Sequence, residues 1–200
     1  MAEVKVLVSG GHEDTDEGLK IGSTTTLIKT DQNIIVDPGA LIDEQKLLDA
    51  LKKENISPED IKLVVLTHTH IDHTVNLHLF KNATVYLKFM GSYPGQMQVI
   101  NKGLLIRKDL LEDTKIAKDV KIILIPGHSN DLIGLVIDTD EGNVVIASDA
   151  ISNEGCADLK NEPNPMIVAD VDQYNESRKK ILKIADFIIP RHGKMFKVNK

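Results

Sequence analysis

Short apolar runs rich in Val and Ile recur along the chain, at 4–9 (VKVLVS), 24–28 (TTTLI), 33–37 (NIIVD), 62–67 (KLVVLT), 83–87 (ATVYL), 120–126 (VKIILIP), 132–138 (LIGLVID), 143–148 (NVVIAS) and 187–190 (FIIP). β-Branched runs of this length, bounded by Gly, Pro, Asn and Asp, predict strands. Two stretches have helical spacing instead. One follows Asp43, a plausible N-cap, with Leu47, Leu48 and Leu51 on one face. The other follows Asp170, with Gln173 in capping-box register and then Tyr174, Ile181, Leu182 and Ala185. SPED at 57–60 predicts a short turn with Ser57 as cap and Pro58 at the first helical position. The expected architecture is a sheet-rich scaffold with amphipathic helices laid on it, and no break in the alternation suggests a linker.

The polar residues that carry chemistry sit where apolar runs end. IIVDPG, VVLTHTHIDH, IILIPGHS, VVIASDA and FIIPRHG each deliver Asp or His as a strand leaves the core. Ends of strands on a rigid sheet hold ligands in fixed geometry while loops shape a cleft around them. In extended backbone, residues two apart face the same way, so His68 and His70 can grip one ion, while Asp72 and His73 lie one step on and reach a second. His128, Asp149 and His192 complete the donor set. Three imidazoles suit one zinc-like ion, Asp with two His suits another, and a carboxylate with two oxygens can bridge both. Such a set leaves positions open for water, which separates a catalytic site from a closed structural one.

Composition narrows the classes. At 200 residues a single domain, 1–200, can hide roughly 70% of its extended surface. Hydrophobic residues at 42% and charged residues at 27% are ordinary for a soluble globular protein. The net charge of −6 gives no general attraction for nucleic-acid backbones. Cys156 is the sole cysteine, which excludes an intrachain disulfide and a Cys-based zinc site. The N-terminus alternates like a strand and lacks a signal-peptide pattern, and no stretch approaches a membrane span, so a cytoplasmic protein without a membrane partner is expected.

HTHIDH at 68–73 matches the H-x-H-x-D-H signature of the metallo-β-lactamase superfamily, and VDPG, PGHS, SDA and PRHG follow that family's order. The resemblance covers nearly the whole chain. It implies an α+β fold, a four-layer αββα sandwich with two metals at one edge. By motif, His68, His70 and His128 would bind the first metal and Asp72, His73 and His192 the second, with Asp149 between them. Asp37 of VDPG would orient a ligand histidine from behind. HIDHTVNLHLFKNA and ESRKKILKIADFIIPRHGKMFKV carry a closer likeness to a small glyoxalase-II-like group. That likeness implies a homodimeric hydrolase and admits RNA as a substrate. Two departures stand out: GHSND in place of the common GHTxG, and Arg191 where Gly usually precedes the histidine.

Outside the ligand set the expectations are blander. His78 reads as a partly buried structural histidine, and His12, in the acidic loop GGHEDTDEG, as a surface residue with a rim contact as the lesser reading. Arg178, Lys179, Lys180 and Lys183 form a basic helix face, solvated by default, with a phosphate patch second. Tyr93, in KFMGSYPGQMQ, reads as ordinary loop packing, with a pocket wall as the lesser reading.

The expected chemistry is hydrolysis. Two Zn2+ ions, with Fe or Mn as alternatives, would hold a bridging hydroxide that attacks a small-molecule ester, thioester, lactone or phosphoester. Asp149 would orient that hydroxide, and Asp72 would accept its proton, making both catalytic. Two other readings use the same donors: a single-stranded RNA endoribonuclease, and a mononuclear iron oxidoreductase resembling the persulfide dioxygenases.

Overall fold

A computed structural model describes residues 1–88 and 113–199. The chain begins with β1 (Glu3–Val8), folds back as the hairpin β2 (Gly11–Thr15) and β3 (Gly18–Gly22), and continues through β4 (Thr25–Lys29) and β5 (Asn33–Val36). Helix α1 (Glu44–Lys53), β6 (Ile61–Val65), the one-turn helix α2 (Ile71–Thr74) and β7 (Thr84–Tyr86) follow. The remainder comprises β8 (Thr114–Ala117), β9 (Val120–Leu124), β10 (Ile133–Thr139), β11 (Gly142–Ser148), α3 (Val171–Ile184), β12 (Phe187–Pro190) and β13 (Phe196–Lys197).

Strands apolar on both faces cannot stand in water on either, and this forces the layering. In β5, Ile34 and Val36 face one way and Ile35 the other, and all are buried. Leu63 and Val65 of β6 likewise oppose Val64. Ile34, Val36, Leu63 and Val65 join Ile122, Ile133, Leu135, Val144 and Ile146 in a core between the two sheets. Ile35 and Val64 pack with Leu47 and Leu51 of α1 on one outer face. On the opposite outer face Ile123, Val145, Ala147 and Ile188 pack with Ile181 and Ala185 from the α3 segment. The result is one αββα sandwich, as expected. The first sheet has the order β1-β4-β5-β6-β7 and the second β13-β12-β11-β10-β9-β8. Parallel pairing of β5 with β6, and of β11 with β12, points these strands' C-terminal ends to common edges.

Caps form as the sequence predicts. Asp43 accepts from the Lys46 amide and Asp170 from the Gln173 amide, each at 2.9 Å. At 57–60 the direction is reversed, because the Asp60 carboxylate accepts from the amide and hydroxyl of Ser57. The acidic stretch read as a loop is instead the β2–β3 hairpin, paired from Gly11↔Gly22 to Thr15↔Gly18. Its residues are largely exposed, so no hydrophobic alternation marks it, and backbone pairing with Gly18 at φ +130° carries the turn. Strands β8 and β13 and helix α2 also lay outside the sequence expectation.

Two side chains differ from their expected places. The guanidinium of Arg178 is buried and donates to the carbonyls of Cys156, Asp158 and Asn161 and to Asn175 Oδ1, pinning the 153–161 segment to α3. Lys179 pairs with Glu176 at the surface and Lys180 with Asp113, and Lys183 is exposed, so the expected solvated face holds at Lys179 and Lys183 and fails at Arg178. His78 is exposed, its side chain at 57%, and pairs with Glu44 at 3.0 Å. It is the middle residue of the short 3-10 turn Leu77–Leu79, whose described neighbours leave its ring outside the core. Tyr93 lies outside the described residues. No helix among the described residues is long and apolar enough to cross a membrane.

Candidate metal centre

The ends of β5, β6, β9, β11 and β12 bring their polar residues to one edge of the sandwich. Close backbone approach builds this edge: a side chain at Gly39 would overlap the Asp72 carbonyl, and one at Gly127 (φ +135°) the backbone of Tyr174. Asp37 and Ser148 hold left-handed backbone at φ 49° and 48°. Such strain in non-glycine residues costs of order 1–3 kcal/mol each and clusters at functional sites.

His68 Nε2 lies 2.9 Å from His70 Nδ1, and His128 Nε2 lies 3.1 Å from the same atom. Three imidazole nitrogens thus converge on one point. The tautomers are fixed from behind: His128 Nδ1 donates to the Ile167 carbonyl at 2.7 Å, and His68 Nδ1 stands 3.2 Å from Thr67 Oγ1. Each contact leaves the opposite nitrogen's lone pair aimed inward.

Beside this group, His73 Nε2 lies 3.0 Å from Asp149 Oδ2 and 3.5 Å from Asp72 Oδ2. Asp149 Oδ2 is 3.7 Å from His68 Nε2 and Oδ1 is 3.5 Å from His128 Nε2, so this carboxylate spans both groups. Ligating atoms within 4.8 Å of one another define two sets, His68 with His70 and His128, and His68 with His73 and Asp149. Asp72 and His192 stand outside both. Asp72 Oδ2 accepts from Arg191 Nη2 at 2.8 Å, while Arg191 Nη1 lies 2.9 Å from Asp149 Oδ1. The ring of His192 meets His12 edge-on, centroids 5.9 Å apart, so the β2–β3 hairpin reaches the rim while His12 stays exposed.

The donors fit a divalent ion by an atom left unused and by their chemistry. Among the described residues, His192 Nδ1 is buried without a hydrogen-bond partner, while His73 Nε2 and Asp149 Oδ1 are buried against charged neighbours, Asp149 Oδ2 at 3.0 Å and Arg191 Nη1 at 2.9 Å. Buried polar atoms are rarely orphaned, and an orphan at this edge marks a place for a ligand. The donor set of imidazoles and carboxylates suits zinc, iron or manganese.

Charge is arranged to match. Burial, with His73 nearby, lowers His68 to about 2, and burial also lowers His128. Burial and the adjacent Arg191 bring His192 down to about 4. Burial opposes a charge on His73 too, but Asp37 and Asp149 outweigh it and raise it to about 10. Burial likewise works against the Asp149 carboxylate, yet His73 and Arg191 hold it well below the usual carboxylate range.

Asp37 takes the supporting place that the family resemblance implied. Its Oδ2 accepts from His73 Nδ1 at 2.8 Å and from Thr67 Oγ1 at 2.7 Å, and its Oδ1 from the Thr67 amide at 2.8 Å. Thr67, Ser148 and Asp131 are supports that sequence reading did not single out. Ser148 Oγ lies 2.8 Å from Thr67 Oγ1, and buried Asp131 accepts from the amide and hydroxyl of Thr69. The available signals were the GHSND departure, which contains Asp131, and the Arg191 departure.

Comparison with known proteins agrees with this geometry. The family model for the metallo-beta-lactamase superfamily matches residues 20–190. Metallo-beta-lactamase domain-containing protein 1 of Xenopus laevis is 30% identical over 203 residues, covering 98% of this chain and 82% of that protein. The crystal structure of a metallo-beta-lactamase candidate from Thermotoga maritima superimposes with a TM-score of 0.76 at 25% identity, covering 98% of this chain and 99% of that one. A quorum-quenching N-acyl homoserine lactone lactonase shares the fold with a TM-score of 0.66 at 18% identity, covering 96% and 91%.

Proposed function

This chain belongs to the metallo-β-lactamase superfamily as a metal-dependent hydrolase, and from that premise we propose that it hydrolyses a compact ester, thioester, lactone or phosphoester with zinc at the strand-end site. The observation that carries the reading is the convergence of His68 Nε2, His70 Nδ1 and His128 Nε2 within 2.9 and 3.1 Å steps. These residues would hold the first ion. His73 and Asp149, with Asp72 and His192 beside them, would hold a second. Bound ions of this kind supply Lewis acidity and bring the pKa of water toward neutrality.

The chain's own residues do the rest. Asp149 faces both donor groups and stays ionised, so it orients whatever sits between them. Asp72 borders the same space and is the proton acceptor, once Arg191 yields its Oδ2. Exposed apolar side chains flank the ligands: Ile71 between His70 and Asp72, and Met166 and Ile167 next to the carbonyl that holds His128. An apolar rim favours a small acyl or alkyl substituent over a polyanion. The burial of Arg178 and the pairing of Lys179 with Glu176 and of Lys180 with Asp113 leave little free positive charge on that helix for a polyanion.

Zinc-loaded protein should be assayed on a lactone, a thioester, a phosphodiester and unstructured RNA across a salt series. Turnover of a small neutral substrate with little salt dependence is expected. RNA cleavage that falls steeply with salt, without small-substrate turnover, would establish the endoribonuclease instead. Oxygen uptake by the iron form would establish the oxidoreductase.

A further inference from the structure

Arg191 stands between the two carboxylates that a second ion would need. Its Nη2 donates to Asp72 Oδ2 at 2.8 Å, and its Nη1 lies 2.9 Å from Asp149 Oδ1. The placement is built into the fold. The Arg191 amide faces the carbonyls of Ser148 and Ile151, and its own carbonyl accepts from the amide and hydroxyl of Thr24. A side chain at Gly10 would overlap that carbonyl, so a glycine there is what lets β1's end pass over it. The Arg191 side chain is 14% exposed, and those of Asp72 and Asp149 are 7% and 1% exposed. Contacts shielded to this degree are weakly screened by salt.

A guanidinium cannot lose its charge near neutral pH, and its planar fork suits two carboxylates better than an ammonium would. Asp72 cannot give the same oxygen to an ion and to Arg191. Adding a divalent ion beside the guanidinium also sets like charges close together in a buried pocket. In the three-imidazole group the converging nitrogens face one another, and among the described residues no Lys or Arg makes a hydrogen bond or ion pair with them.

We infer that Arg191 is a resident cation of the second-ion position, so that this chain holds one ion tightly at His68, His70 and His128 and takes a second only weakly, in competition with Arg191. The inference rests on the metal-dependent reading above and deepens it. It departs from equal filling of two positions.

The test is a zinc titration of the metal-stripped full chain by calorimetry, with cobalt(II) absorption as a second readout, on wild type, Arg191→Met and Arg191→Lys. Wild type should take up one ion tightly and a second about tenfold or more weaker, the scale of effect seen when groups around metal ligands are changed. Arg191→Met keeps the stem and loses the charge, so it should tighten the second step about 10–100-fold and leave the first unchanged. Arg191→Lys keeps the charge without the fork and should fall between. Should the Met variant fail to fold, the Lys variant decides by the direction of its second step. Two equally tight ions in wild type, or a second step that neither variant changes, would overturn the competition. Absence of any bound ion in wild type would overturn the metal site itself, a distinct failure because the first step does not depend on Arg191.

Discussion

His73 donates through Nδ1 to Asp37 Oδ2 across 2.8 Å, and both side chains are closed to solvent. The contact orients the imidazole so that Nε2 faces Asp149 and Asp72. It also ties VDPG at the end of β5 to the signature at the end of β6, with Thr67 bound to the same carboxylate.

Asp37→Asn tests that orientation. Asn tolerates the left-handed backbone that this position requires, so the substitution removes charge without adding strain. Zinc affinity or kcat/KM should fall about 10–100-fold, the usual cost of losing a ligand's supporting carboxylate. Equilibrium dialysis and steady-state kinetics would measure it, and unchanged values in both would refute the role.

His70→Ala and Asp149→Ala should each reduce hydrolysis by several orders of magnitude but differ in stability. His70 is exposed, so its loss should shift unfolding by no more than about 0.5 kcal/mol. Asp149 is buried between His73 and Arg191, and deleting it strands buried positive charge, at a cost of about 3–5 kcal/mol. Urea denaturation alongside activity separates the two; equal stability losses would contradict the assignment.

Removing metal should lower the melting temperature. An ion present at about a thousand times its Kd stabilises the native state by about 4 kcal/mol, or roughly 8–16 °C for a chain of this size. Calorimetry before and after chelation, with recovery on adding zinc, would measure it. A shift below about 2 °C would mean that no tight ion binds the folded chain.

The metal-free chain should be most stable near pH 6.5. His68 is lowered to about 2, so between there and pH 6.5 the unfolded chain binds more protons and stability rises with pH. His73 is raised to about 10, so above pH 6.5 the native chain holds the extra proton and stability is lost toward pH 10. Denaturation midpoints across pH 5–9 in chelator would show the maximum, and a monotonic profile would exclude this pairing of buried histidines.

Arg178→Met should destabilise by about 3 kcal/mol or more, because buried carbonyls lose their charged donor. Arg178→Lys should not restore it, since one ammonium cannot span the carbonyls of Cys156, Asp158 and Asn161 together. Urea midpoints measure both, and wild-type stability in the Met variant would refute the tie.

The sequence alone determined the strands, the two longer helices and the candidate donors, and the four-layer arrangement entered only through the family resemblance of its motifs. Val and Ile runs marked a sheet-rich scaffold with amphipathic helices laid on it. The His and Asp residues at the strand ends were legible for the same reason, since chain direction and burial are local properties of an apolar run. The pairings that cross the fold were not local. Arg191 meets Asp72 across 119 positions, and Arg178 turns inward because the 153–161 segment lays its carbonyls over α3. Nothing in the period of either stretch encodes those partners, so a charged side chain read as solvated became an internal tie. The β2–β3 hairpin escaped notice because backbone hydrogen bonds, with no buried face, hold it. Which cation faces Asp149 was therefore decided by tertiary structure: strand order brought the ends together, and the side-chain directions chosen in packing put a guanidinium among the metal donors.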